Sequence, residues 1–274
     1  GGPTELVQLL GERDPALAHL ADLGDELGRL RVGRHQRHGQ VGEPDDAGEH
    51  VVEVVGHAAG DQGGVGQPLL EAVAENSAQT GRRVHMHLLE TIYQRRWADQ
   101  YFPGGIVRYL RDIGLLSERL TLAHCIHARP DEIEMIAASG ARIVTNFSSN
   151  LHLRSGLAPI AAAHERGCAI AVGVDGLALD EDDDILREMR LVQMMHGGLG
   201  FKRGWTVPEF FALAIRNGRR AVGAPGTGEL AVGAPADFVS IDLDRLEQGA
   251  SELRTFLFDL RTAARDVGFF YLSG

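Results

Sequence analysis

Through the middle of the chain, short apolar runs alternate with amphipathic stretches, and each run stops at a polar residue. Arg82 to Leu89 reads as a strand entering with Val84, followed by strands over Leu120 to His124, Arg142 to Asn146 and Cys168 to Gly173. Between them the spacing changes to the helical period. Gly104 to Leu115 carries Ile106, Val107, Leu110 and Ile113 on one stripe. Pro130 to Ala138 begins with a proline, has Asp131 and Glu132 in its first turn, and is stopped by Gly140. Pro159 to Arg166 is a helix ended by Gly167. Such alternation with short connections predicts an α/β fold, a parallel sheet with helices over it. Further on, Ile185 to Met195 is helical, and Thr206-Val-Pro-Glu209 before Phe210 and Phe211 is a capping box.

What stands where the runs stop carries the chemistry. In chain order these are His85-Met-His87-Leu-Leu-Glu90, Ala123-His124-Cys125, Thr145-Asn146 and Gly173-Val-Asp175-Gly176. Imidazole and carboxylate suit a divalent metal such as zinc, and a carboxylate beside it can move protons. Strands feeding one face of a barrel deliver such residues one by one.

These residues resemble the amidohydrolase superfamily, in its cytosine deaminase and chlorohydrolase-like branch. The resemblance is carried by His87-Leu-Leu-Glu90-Thr91, His124-Cys-Ile-His127, the segment from Asn146 to Gly156, and Gly173-Val-Asp175-Gly176. Asn217-Gly-Arg-Arg-Ala221 and Gly228 to Asp237 resemble the family's closing segment. It implies the later strands of a metal-dependent-hydrolase (β/α)8 (TIM) barrel, with part of a small β domain. It implies a hydrolase acting on C–N bonds, a deaminase of a cyclic amidine-type substrate by attack of metal-bound hydroxide. One divalent metal is implied, zinc, with iron as the alternative. His87 is then a metal ligand. Asp175 is a ligand that also takes a proton from the bound water. Glu90 passes that proton to the leaving nitrogen, and His124 polarises the carbon under attack. Asn146, Asn150 and Arg154, with Ser149, lie at the mouth by position and are candidates for substrate contact.

Two departures from the family pattern qualify this reading. Phe147 stands where the family usually has proline, which is expected to alter a loop and not the chemistry. The family's first strand ends in His-x-His, yet His19, His35, His38, His50 and His57 form no such pair. His35 and His38 lie in an Arg- and Gly-rich stretch with no strand expected before them. His85 and His87 have the spacing, but Glu90 and the following His124-Cys125 fit the fifth strand better. An alternative to the enzyme is therefore an inactive fragment or chimeric product lacking the first-strand His-x-His.

Residues 1–66 contain no aromatic residue, isoleucine, methionine or lysine. They can bury little apolar surface per residue, so a firm core is not expected. Leu6 to Leu10 and Leu17 to Leu30 read as helices, and Val51 to Val55 as a short strand. The expected organisation is an unassigned and foreign-looking segment over 1–66, barrel over 67–225, an edge of the small β domain over 226–247, and a tail over 248–274. Part of that tail, Leu260 to Gly274, resembles the opening of iron and 2-oxoglutarate oxygenases but carries no ligand of theirs. The run Asp180 to Asp184 looks like a metal loop, but its place before a helix favours acidic groups complementing the helix start.

A net charge of −11 argues against a nucleic-acid partner and leaves a small-molecule substrate. No apolar stretch is long enough to span a bilayer, so no membrane partner and a cytoplasmic location are expected. Cys125 and Cys168 imply no disulfide framework. Open strand edges on a part barrel favour self-association into a homo-oligomer.

Overall fold

The computed structural model describes the backbone of 30–34 and 50–54, then 66–176, 184–196, 198–199, 202–224, 228–229 and 231–234. The chain divides into two compact units, Gly1–Val144 with Ser155–Ala169, and Thr145–Arg154 with Ile170–Gly274.

The first unit is built on a sheet whose strands follow chain order: β1 (Leu30–Arg34), β2 (His50–Val54), β3 (Arg83–Leu88), β4 (Leu120–His124) and β5 (Arg142–Thr145, whose last residue is counted with the second unit). β2 to β5 pair parallel, and β1 runs antiparallel on the outer edge of β2. Parallel neighbours need crossovers. Two helices, α2 (Ile92–Tyr101) and α3 (Ile106–Asp112), join β3 to β4, and α4 (Pro130–Ser139) joins β4 to β5. α1 (Gln67–Thr80) precedes β3, and α6 (Ile160–Glu165) belongs to the same unit.

Local chemistry sets the boundaries. α1 has a proline in its first turn and stops at Gly81, whose φ of 72° only glycine adopts at no steric cost. Gly140 ends α4 in the same way, at φ 76°. In β3 alternate residues Val84, Met86 and Leu88 are buried, whereas every residue of β4 is buried. That difference marks β4 as a central strand covered on both faces. Leu110, Leu120 and Leu122 are completely buried, each contributing about 1.5–3 kcal/mol.

The strands and helices predicted over 82–173 appear within a few residues of their expected ends. Two expectations fail. A strand does precede His35, beside the one expected over Val51 to Val55, which is present as β2. Val32, Val51, Val52 and Val54 explain it, since β-branched side chains favour the extended backbone without aromatic neighbours. Leu30 is the first residue of β1 and not the end of a helix. The expected helix over Leu6 to Leu10 and the rest of Leu17 to Leu30 fall outside the described residues, as do Asp180 to Asp183 and the tail from 235. Second, Phe147–His152, expected as loop, is a short helix, α5.

A buried ion pair in the first unit extends into exposed polar partners. The Arg95 guanidinium donates to both Glu132 oxygens, at 2.9 and 2.8 Å, and pairs with Asp99. Arg129 donates to Asp99 at 2.6 Å, and the Arg129 N–H donates to Glu132 at 2.8 Å, capping α4. Burial opposes the charge on Asp99, but Arg95 and Arg129 outweigh it and hold its carboxyl below the usual range. Cys125 and Cys168 are free and buried. Burial pushes the Cys168 thiol up to about 11 and the Cys125 thiol higher still.

The second unit holds α5, β6 (Ala169–Val172, whose first residue is counted with the first unit), α7 (Ile185–His196), a small hairpin of β7 (Gly198–Leu199) and β8 (Lys202–Arg203), α8 (Val207–Ala214) and α9 (Arg216–Ala221). Within this unit the Gly173 N–H donates to the Thr145 carbonyl at 3.0 Å. Asn217, from the predicted closing segment, donates its amide to the Ile170 carbonyl at 2.7 Å. Asp184 accepts the N–H groups of Leu186 and Arg187, so the end of the acidic run caps α7. Thr206 and Glu209 form the expected capping box. Among the described residues, no helix is long and apolar enough to cross a membrane.

His196 closes α7 with its ring edge-on to Phe147, centroids 5.5 Å apart. Burial pushes its pKa below the ordinary histidine value. The unfolded chain therefore takes up this proton first as pH falls through about 6.5. Stability from the neutral ring is complete above that pH and declines below it. The melting temperature is expected to drop between about pH 7 and about pH 5.5, and less so in His196→Phe. Equal drops in the two proteins would remove His196 as the cause.

Candidate active site

In the first unit the predicted residues meet at the C-terminal ends of β3 and β4. Leu88 is paired with His124 across the two strands, which brings His87 and His124 alongside. Their rings stack, with centroids 5.0 Å apart and planes 27° from parallel. His85 lies on the same face of β3, its ring 6.3 Å from that of His87. His124 is completely buried and His87 half-buried. Two imidazoles side by side at strand ends are the donor type that zinc takes, so these residues fit a divalent metal.

The backbone bends sharply here. Leu89, His124 and Cys125 have φ of 54°, 69° and 50°, a region that non-glycine residues seldom adopt. Hydrogen bonds hold the bends. Cys125 N–H donates to the Leu88 carbonyl at 3.0 Å and His127 N–H to the Leu89 carbonyl at 2.9 Å. Backbone strain of this kind gathers at functional sites when the surroundings over-determine it.

Glu90 follows the β3 bend, immediately before α2. Its N–H donates to Gln94 Oε1 at 2.7 Å, and Thr91 accepts the Gln94 N–H as N-cap. The Ser155 hydroxyl lies 3.4 Å from Glu90 Oε1. Ser155 is held in turn by His127, whose Nε2 is 3.2 Å from its carbonyl. Gly156, at φ 122°, packs so closely that a Cβ would lie 3.1 Å from Ile126 Cγ2. His127 therefore anchors the segment beside Glu90.

The second unit supplies the other predicted residues. Asp175 sits just past β6 with φ 72°, and its Oδ2 accepts a hydrogen bond from Ser149 Oγ at 2.5 Å. Asn146 and Asn150 are buried at the base of α5, where Asn150 N–H donates to the Asn146 carbonyl. Arg154, exposed and at φ 56°, lies just beyond that helix. Sequence reasoning gave no role to Glu188. It is buried in α7, and its carboxylate accepts the N–H groups of Phe147 and Ser148. Nothing in the sequence pairs residues so far apart.

The model of the amidohydrolase family matches residues 25–269. The chain belongs to the amidohydrolase family. The match takes in β1 and β2 and reaches into the tail.

A 5-methylthioadenosine/S-adenosylhomocysteine deaminase from Nitratidesulfovibrio vulgaris is 35% identical over 162 residues, 58% of this amidohydrolase chain and 37% of the relative. Among solved structures, an adenosine deaminase from Xanthomonas campestris with bound zinc superposes with a TM-score of 0.61 at 27% identity, covering 69% of this chain and 43% of that one. The atrazine chlorohydrolase TrzN from Arthrobacter aurescens, complexed with zinc, gives 0.54 at 26% identity, covering 59% and 36%. The chain thus spans less than half the length of the curated relatives it matches. The fold is the α/β class expected, part of the (β/α)8 barrel.

Proposed function

We propose that the chain carries the later strands of a metal-dependent deaminase, which hydrolyses a C–N bond of a cyclic amidine such as the purine of an adenosine-type nucleoside. The observation that carries this reading is the His87–His124 pair at neighbouring strand ends, with Glu90 just past the bend. The names of the relatives supply the substrate class. The overall reaction adds water across the ring C=N and releases ammonia, leaving a ring carbonyl.

His87 and Asp175 are the residues assigned to hold the metal, zinc in preference to iron. When bound, such a metal lowers the pKa of water towards neutrality. Asp175 accepts a proton from the attacking water. Glu90 carries a proton to the departing nitrogen, and its backbone is fixed for that task by Gln94. His124, buried and held at a strand end, hydrogen-bonds to the substrate beside the carbon under attack. Asn146, Asn150 and Arg154 are assigned to substrate contact.

One observation favours a second reading, a chain with the fold but not the activity. Residues 1–84 contain no His-x-His. His87 and Asp175, even with His124, make at most three protein ligands, and His124 is assigned to substrate. Catalytic zinc sites usually take three protein ligands plus water. Dialysed protein is expected to hold well under one equivalent of zinc by elemental analysis, and His87→Ala still less. Turnover of adenosine-type substrates is expected to be barely measurable. Stoichiometric zinc together with deaminase activity would reject the second reading.

A further inference from the structure

We infer that Ser149 is a positioning residue for the Asp175 carboxylate, and that Glu188 sets Ser149 in place. The inference rests on the reading of Asp175 as a metal ligand, and every residue in it belongs to the second unit.

Asp175 stands on an exposed turn with a left-handed backbone, so burial does not fix its carboxylate. Ser149 is the opposite case, completely buried within α5. The 2.5 Å contact from its Oγ to Asp175 Oδ2 has the length of a hydrogen bond to an ionised oxygen. That bond restricts the carboxylate to one orientation.

Ser149 is itself placed by the start of α5. A helix of six residues does not hold on its own. Its first N–H groups point at Glu188, which accepts from Phe147 through Oε1 and from Ser148 through Oε1 at 2.9 Å and Oε2 at 3.3 Å. A carboxylate is well suited there because the N-terminal end of a helix carries partial positive charge. The Phe147 side chain, completely buried and edge-on to His196, holds the same turn from its apolar side. Phe147 therefore has a use that proline could not meet, since proline has no N–H to give Glu188. The departure from the family pattern at this position feeds the support of Asp175.

Removing a partner behind a metal ligand typically weakens metal affinity about 10–100-fold. The test is a titration with cobalt(II), read by its visible absorption, on the full chain and its variants, beside the melting temperature of each without metal. Ser149→Ala is expected to bind cobalt about 10–100-fold more weakly, with melting close to the parent. Ser149→Thr, which keeps the hydroxyl, is expected to recover most of the affinity. Glu188→Gln, of the same shape, is expected to weaken binding without touching Asp175, and carries the prediction should Ser149→Ala fail to fold. Parent and Ser149→Ala binding cobalt equally would overturn the inference alone. A parent that takes up no more cobalt than His87→Ala would overturn the metal reading and this inference with it.

Discussion

Glu90→Gln is expected to lower turnover by about 10²–10⁴-fold while leaving zinc content unchanged, once residues 1–66 are exchanged for a first half that carries His-x-His. The exchange is needed because the ligand set assigned to this chain is short. Glutamine keeps the size and polarity of Glu90 but can neither accept nor deliver the proton. The backbone around it stays anchored, since Gln94 and Thr91 hold the entry to α2 through main-chain N–H groups. Zinc is expected to remain because Glu90 is not an assigned ligand. A glutamine variant with parental turnover would remove Glu90 as the proton carrier, whereas loss of zinc would make it a ligand.

Glu132→Ala is expected to destabilise the first unit by about 3–5 kcal/mol, measured by urea unfolding. Arg95 and Glu132 are 6% and 2% exposed, so deleting the carboxylate leaves a guanidinium buried beside Asp99 alone. The same change removes the acceptor of the Arg129 N–H at the start of α4. Replacing both partners, Arg95→Met with Glu132→Leu, is expected to recover much of the loss because no unpaired charge stays inside. A loss below about 1 kcal/mol for Glu132→Ala would mean that water reaches Arg95.

The parts of this architecture that were legible in the sequence are those written locally. Apolar runs ending at His87, His124 and Val172, and glycines at 140 and 167, mark β3, β4, β6 and the ends of α4 and α6. The histidines and Glu90 were legible because each stands where a run stops. β1 was not, because Leu-Arg-Val-Gly-Arg is short, holds only two apolar residues and includes a glycine, which strands disfavour. α5 was hidden for another reason. Its Asn and Ser residues suit loops, and the carboxylate that makes it a helix comes from residue 188. The Arg95–Glu132 pair spans 37 positions, a separation that no local pattern reports.

The left-handed non-glycine residues also bear on how this chain can change. Glycine would relax such a bend, commonly the easiest route to a hardier protein. Of the five such non-glycine residues among the described ones, His124 and Asp175 are assigned to the chemistry. Leu89 and Cys125 are 2% and 1% exposed, so truncation there leaves a void costing about 2–5 kcal/mol for a leucine, more than the ~1–3 kcal/mol of strain relieved. Arg154 remains, exposed like Asp175, and it is also a candidate substrate contact. Heat resistance and substrate grip thus compete for one codon, and the mutational neighbourhood around this site is narrow because its backbone is as specialised as its side chains.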